Sequence, residues 1–198
     1  MDSWRDILNT KYDSDLEKVA QVFTPSQKLS SIGNALEAVF QFQGEFILVG
    51  GIARRFHSTP RNTGDIDILF RSDIYKDAFL SNNLGSYKQI RNHAILVEGV
   101  EVDLLTPEFI GVPQELINYI FETKENAGNN INVASKEGII LLKLYRLSPT
   151  DDNDIRALIE AGGRNLKVED ILKLSGNKKE AIQSILEQSK MFLTEENK

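Results

Sequence analysis

The sequence predicts an α+β protein, in which a small mixed β-sheet is flanked by helices and followed by a helical C-terminal half. Two observations favour this fold. Short apolar or alternating runs, typical of strands, are concentrated between residues 45 and 105. Apolar residues at helical spacing dominate on both sides of that region. We therefore expect N-terminal helices at 1–43, the core sheet at 44–110 and a helical part at 111–198, all in one compact unit.

The segments outside the core sheet carry few functional signals. Two helices are expected before the sheet, and the first ends near Thr24–Pro25. The second has one apolar face, formed by Leu29, Ile32, Leu36, Val39 and Phe40. After the sheet, Lys124–Asn130 is polar and contains a glycine, which predicts a loop.

The composition is that of an ordinary globular protein, with 41% hydrophobic and 26% charged residues among 198. The absence of cysteine excludes disulfides and thiolate-bound metals, and two histidines are too few for a histidine-rich metal site. The net charge of −6 argues against a protein that coats nucleic acid. The start of the sequence does not have the pattern of a signal peptide, and no apolar run is long enough to span a membrane. A cytoplasmic protein with no membrane partner is expected.

The most informative stretch is Phe46–Leu69. It opens with an apolar run that predicts a buried strand, and Gly50 and Gly51 follow at once. A second predicted strand carries Asp65 and Asp67. Side chains two residues apart in a strand point to the same face, so both carboxylates should project together.

This combination of residues predicts phosphoryl or nucleotidyl transfer. Two adjacent carboxylates repel each other unless a positive charge lies between them. Magnesium is commonly bound by one or two carboxylates, together with water and substrate phosphates. Glycines let the backbone approach a phosphate, and the amides at a following helix N-terminus favour anions.

The stretch resembles the pattern of the nucleotidyltransferase superfamily, in which Gly-Gly or Gly-Ser precedes a hydrophobic-Asp-hydrophobic-Asp-hydrophobic strand. The wider string is most similar to the minimal or AbiEii-like bacterial nucleotidyltransferases, and it comprises Val-Gly-Gly-Ile-Ala, His57, Arg61, Thr63 and Asp65-Ile66-Asp67-Ile68-Leu69. The resemblance covers about residues 46–161. One departure concerns Gly51, which stands where many superfamily members have a serine whose hydroxyl contacts phosphate.

A third carboxylate is expected on the strand that follows a predicted hairpin at Glu98–Gly99. Val100–Leu105 alternates, so Glu101 and Asp103 share one face. In the resembled family the third catalytic carboxylate lies on a strand of this kind. Asp103 is the better match because of its hydrophobic-Asp-hydrophobic context, and Glu101 is the alternative. A solvated strand face is the non-functional interpretation of both residues.

The helical half adds two candidates. A helix is predicted from Ser135, and Lys143 lies within its apolar run, where a lysine either extends to water or faces an anion. By resemblance to AbiEii-like proteins, Lys143 contacts the triphosphate and Asp154 is the matching acidic residue. Asp151 is the alternative to Asp154, although helix capping accounts for Asp151 and Asp152 without any role in the site.

The resemblance implies a role for each candidate. Asp65 and Asp67 would hold magnesium or manganese ions, and Asp103 would complete the metal site and help deprotonate the acceptor hydroxyl. The nucleoside triphosphate would be bound by Gly50, Gly51, Arg61, Thr63, Lys143 and Asp154.

The implied activity is metal-dependent transfer of a nucleoside monophosphate from a nucleoside triphosphate to a hydroxyl group of RNA, tRNA or protein. Several members of the resembled group are toxins of toxin–antitoxin pairs, so the expected partners include a cognate antitoxin. The alternative acceptor is an aminoglycoside- or lincosamide-like antibiotic, because an acidic protein suits a cationic substrate. A third interpretation is a catalytically silent module of the same fold that binds a nucleotide or a partner.

Overall fold

The computed structural model describes residues 27–58, 63–127 and 131–195. The first predicted helix, the Thr24–Pro25 boundary and Arg61 lie outside these residues. The strands are β1 Ile47–Val49, β2 Ile66–Leu69, β3 Lys88–Arg91, β4 Ala94–Val97, β5 Val100–Leu105, β6 Glu125–Asn126 and β7 Asn132–Val133. The α-helices are α1 Gln27–Gln41, α2 Gly50–Arg55, α3 Asp73–Asn82, α4 Pro107–Ile110, α5 Gln114–Glu122, α6 Lys136–Arg146, α7 Pro149–Gly162, α8 Val168–Leu174 and α9 Lys179–Glu195. Short 3-10 helices follow α7 and α8 at Gly163–Asn165 and Gly176–Lys178.

The strands within the described residues form one sheet in the order β3-β4-β5-β2-β1-β7-β6. The sheet is mixed: β1 is antiparallel to β2 but parallel to β7, and β2 is parallel to β5. The chain after β7 is helical up to Glu195. The predicted α+β architecture, with a mixed sheet and a helical C-terminal half, is therefore confirmed.

The central strands follow the apolar pattern of the sequence. In β2, Ile66 and Ile68 are buried while Asp67 between them is partly exposed. In β5, every second residue is buried, beginning at Val100. Apolar residues of the sheet and of α1 and α5–α9 join in one hydrophobic core. Burial of these side chains drives folding and leaves the polar positions of β2 and β5 on the opposite face.

The predicted hairpin at Glu98–Gly99 is confirmed, since it joins β4 to the antiparallel β5. Both turn residues have positive φ, +49° at Glu98 and +79° at Gly99. Positive φ at both central positions is what a two-residue type I′ hairpin turn requires. The segment before this hairpin turns at Asn92–His93, which separates the antiparallel strands β3 and β4.

The prediction of a loop throughout Lys124–Asn130 was wrong for the residues that the structure describes, because Glu125–Asn126 forms β6. This strand pairs with β7, and β7 pairs with β1 through Leu48 and Val133. The amide of Ala134 also donates a hydrogen bond to the carbonyl of Leu48, at 3.0 Å. Two-residue strands are too short to show an alternating pattern, so they form through pairing, β7 with β1 and β6 with β7, rather than through local preference. No helix within the described residues is long and apolar enough to cross a membrane.

The hairpin turn generates the first prediction. Glu98→Asn should raise the free energy of unfolding by roughly 0.5–1 kcal/mol, because asparagine tolerates positive φ better than glutamate does. Gly99→Ala should lower it by about 1 kcal/mol for the converse reason. A β-carbon at Gly99 would meet nothing within 4 Å, so any loss of stability in Gly99→Ala reflects backbone conformation and not a steric clash. Urea denaturation measures both changes, and a destabilised Glu98→Asn protein would contradict this account of the turn.

Candidate active site

Strand register brings three carboxylates together. Asp67 in β2 is paired with Asp103 in the parallel strand β5, so their side chains lie side by side on the same face. Asp65 comes two residues before Asp67. One ligand oxygen from each of the three lies within 4.8 Å of the others. The structure therefore assembles three aspartates that the sequence analysis singled out, one of them from a distant part of the chain.

The alternative third carboxylate, Glu101, does not belong to this group in the described part of the chain. Its carboxylate forms an ion pair with Arg91 of β3. The same guanidinium lies 3.5 Å from Asp103 Oδ1, where it partly balances the charge of that residue. Arg91 is mostly exposed, so this contact is at the open side of the cluster.

The two glycines pack tightly against the carboxylate strand. Gly50 begins α2 directly after β1 and has a φ of +66°. Any side chain there would be strained, and its β-carbon would collide with the carboxylate of Asp67. The amide of Gly51 donates a hydrogen bond to Asp67. A β-carbon at Gly51 would lie 2.6 Å from Thr63 Oγ1, whose hydroxyl donates to Asp65 Oδ1 at 2.6 Å. The glycine turn thus packs directly against Asp67 of β2 and, through Thr63, next to Asp65, which precedes that strand.

The electrostatics of the cluster are those of crowded negative charges. Burial and, to a smaller extent, the charges of Asp65 and Asp103 together raise the pKa of Asp67 to about 6. The charge of Arg146 and the Gly51 amide oppose this shift. Burial also raises the pKa of Asp103, against the opposing effect of Arg91. The part of these shifts that comes from neighbouring carboxylates is a repulsion that a bound cation would relieve.

A hard divalent cation fits this arrangement. Three carboxylates offer the oxygen ligands that Mg²⁺ and Mn²⁺ prefer, and their spacing lets more than one of them reach a single ion. None of the three is fully buried, so water and a substrate could complete the coordination. Asp65, Asp67 and Asp103 are the residues that would hold the metal.

The predicted nucleotide-binding residues of the helical half lie in a buried ion network. Lys143 Nζ lies 2.6 Å from Asp154 Oδ2 and 3.0 Å from Asp151 Oδ1. Asp154 also pairs with Arg54 of α2, at 3.0 Å. The structure brings Lys143 and both candidate aspartates together and links them to the helix that follows the glycine turn. The predicted contact of Lys143 with a triphosphate stays a prediction.

Asp151 caps the start of α7 and also pairs with the positive side chains of Lys143 and Arg146. Burial alone would raise its pKa, but hydrogen bonds from Arg146, Ser148 and Lys143 hold the pKa well below its usual range. Its carboxylate accepts from the amide of Ser148 at 2.9 Å, which is the capping role expected at the start of α7. The same side chain binds Arg146 through two hydrogen bonds, at 2.6 and 2.8 Å.

Arg146 is the residue that sequence reasoning missed. It follows Lys143 by three positions, which places both on one side of the last turn of α6. That spacing was the available signal, but an arginine at a helix C-terminus is common for dipole reasons alone. Of the other predicted residues, Thr63 contacts Asp65, while Arg61 lies outside the described residues.

The chain matches no protein-family model and no curated protein. It is similar in structure to two solved structures of ANT(2″)-Ia. The first is a crystal structure in complex with adenylyl-2″-tobramycin, with 17% identity, a TM-score of 0.47, and 79% of this chain and 99% of that chain covered. The second is a solution structure of this antibiotic-resistance factor, with 17% identity, a TM-score of 0.45, and coverage of 81% and 95%. The narrower resemblance to AbiEii-like proteins stays a prediction.

The raised pKa of Asp67 generates a prediction for the metal-free protein. With a folded-state pKa of about 6 against an ordinary 3.8, this charge destabilises the fold above pH 6 and costs nothing below about pH 4, where both states are protonated. Asp67→Asn should therefore raise the free energy of unfolding by about 2–3 kcal/mol at pH 8, and this gain should vanish near pH 4.

Urea denaturation with EDTA present measures this effect. Asp77→Asn is the matched control, because the side chain of Asp77 is 71% exposed on α3 and should give little change at either pH. A gain for Asp67→Asn that is equal at pH 4 and pH 8 would show that crowding of charges is not its cause.

Proposed function

We propose that this protein is a metal-dependent nucleotidyltransferase, which transfers a nucleoside monophosphate from a nucleoside triphosphate to a hydroxyl group. The observation that carries the proposal is the juxtaposition of Asp65, Asp67 and Asp103 beside the tight Gly50–Gly51 turn. Such a turn next to clustered carboxylates suits a phosphate-bearing, metal-bound substrate.

Each residue has a defined task in this proposal. Asp65 and Asp67 would hold magnesium, which would supply charge neutralisation and Lewis acidity for the triphosphate. Asp103 accepts the proton of the acceptor hydroxyl, a task that suits a carboxylate whose pKa is raised by burial. The acceptor oxygen then forms a bond to the α-phosphorus, the bond between that phosphorus and the bridging oxygen breaks, and pyrophosphate leaves.

The overall charge of the protein bears on the acceptor. The chain carries a net charge of −6. This charge supports a small cationic acceptor, as in the antibiotic-modifying alternative, because a negative protein attracts cations. The RNA, tRNA or protein acceptor and the antitoxin partner implied by the AbiEii-like resemblance are the competing proposals, and the same experiment separates them.

The test follows radiolabel from each of the four α-³²P nucleoside triphosphates, with Mg²⁺ or Mn²⁺, into total RNA, total protein and a panel of aminoglycosides and lincosamides. We expect label in one fraction. Asp65→Asn and Asp103→Asn should each reduce the rate by roughly 100-fold or more, because each removes a group that acts on the reacting atoms.

Asp77→Asn is again the matched control, since it removes an exposed carboxylate from α3 and should keep full activity. If the protein transfers no label but binds a nucleoside triphosphate, the silent-module interpretation replaces this proposal. If it transfers label equally with and without Asp103, the assigned proton acceptor is wrong.

A further inference from the structure

We propose that Arg146 binds the β- and γ-phosphates of the nucleoside triphosphate, and that buried Asp151 holds its guanidinium in position. This inference rests on the proposed function and assigns it a substrate contact. Arg146 is the last residue of α6, and Asp151 lies in the first turn of α7, so the short turn between these helices presents the arginine.

The guanidinium of Arg146 has N–H donors that its bonds to Asp151 do not use. An arginine carries five N–H donors in a planar fork that matches phosphate oxygens. Arg146 directs Nε to Asp151 Oδ2 at 2.8 Å and Nη2 to Oδ1 at 2.6 Å. Three N–H groups therefore point away from Asp151. The side chain is 60% exposed, so these donors are accessible to a ligand.

The carboxylate that holds Arg146 is itself immobilised. Asp151 is fully buried and also accepts hydrogen bonds from Lys143 Nζ at 3.0 Å and from the Ser148 amide at 2.9 Å. A buried acceptor with this many partners has one orientation, and so does the fork bonded to it. Asp151 is in this sense a positioning residue.

Arg146 is the exposed positive charge of the ion network. The network contains three positive side chains, Arg54, Lys143 and Arg146, and two negative ones, Asp151 and Asp154. Of these five, only Arg146 is exposed; the other four side chains are 6% exposed or less.

The network also connects Arg146 to the glycine turn. Arg54 lies in α2, the helix that begins at Gly50, and it pairs with Asp154, which pairs with Lys143. Lys143 pairs in turn with Asp151, the partner of Arg146. The chain of ion pairs thus links the turn that carries Arg146 to the helix whose first residue, Gly50, packs against Asp67.

This assignment gives Lys143 a different task from the one implied by resemblance. Its ammonium is 4% exposed and bonded to both Asp151 and Asp154. Contact with a phosphate would break two buried ion pairs, which is costly. Lys143 instead holds the two aspartates, and Arg146 makes the contact.

The experiment measures binding rather than turnover. Calorimetry compares wild type, Arg146→Gln and Arg146→Lys with ATP, GTP, CTP, UTP, pyrophosphate and the four nucleoside monophosphates, each in Mg²⁺. Arg146→Gln should weaken binding of the preferred triphosphate and of pyrophosphate roughly 10- to 100-fold, which corresponds to losing charge-assisted hydrogen bonds. Monophosphate binding should change less than about twofold. Arg146→Lys, which keeps the charge but loses the fork, should fall between wild type and Arg146→Gln.

Arg156→Gln is the matched control, because Arg156 also pairs with an aspartate of α7, Asp152. Unlike Arg146, Arg156 also donates a hydrogen bond to Gln188 of α9. The Arg156→Gln protein should bind all ligands as the wild type does. Melting temperatures check folding, and Arg146→Gln should fold because Asp151 keeps Lys143 and Ser148 as partners.

Triphosphate binding that is unchanged in Arg146→Gln would overturn the inference and leave the proposed function intact. Equal weakening of triphosphate binding and monophosphate binding in either Arg146 variant would also overturn the inference. A monophosphate has no β- or γ-phosphate, so loss of a contact to these groups should leave its binding nearly unchanged. A wild-type protein that binds no triphosphate with Mg²⁺ would overturn both the inference and the proposed function.

Discussion

The mutual repulsion of three carboxylates is the constraint on which the rest of this structure depends. Like charges this close destabilise a fold unless the surrounding contacts compensate. Here apolar burial and polar contacts both compensate. Ile66 and Ile68 are fully buried on the opposite face of the strand that carries Asp67, and the Gly51 amide donates to that carboxylate. The Thr63 hydroxyl donates to Asp65, and the charge of Arg91 opposes that of Asp103.

The helical half is more than packing for the sheet. Its α6 and α7 are joined by the buried pairs of Lys143 with Asp151 and Asp154, and Asp154 ties them to Arg54 of the helix after the glycine turn. Because a buried charge that loses its partner is strongly destabilising, this network gives the two halves a definite relative position. Arg146 lies at the exposed end of this network, which is the basis for its proposed contact with phosphate.

Local features of the fold were predictable because their causes are local. The alternation around Asp67 determines which side chains face the core, and a glutamate–glycine pair between alternating runs marks the hairpin. Strand β7 has only two residues, and it joins the sheet by pairing with Leu48, more than 70 positions away along the chain. No short-range pattern encodes a contact of that kind.

For the site, the sequence by itself determined that Asp65 and Asp67 share a face beside two glycines, since strand periodicity and chain continuity require it. Only the tertiary structure decided between Asp103 and Glu101, which the same periodicity places on one face of β5. The register of β5 against β2 sets Asp103 opposite Asp67. Pairing between strands distant in sequence is settled by packing of the whole sheet, which no single segment contains.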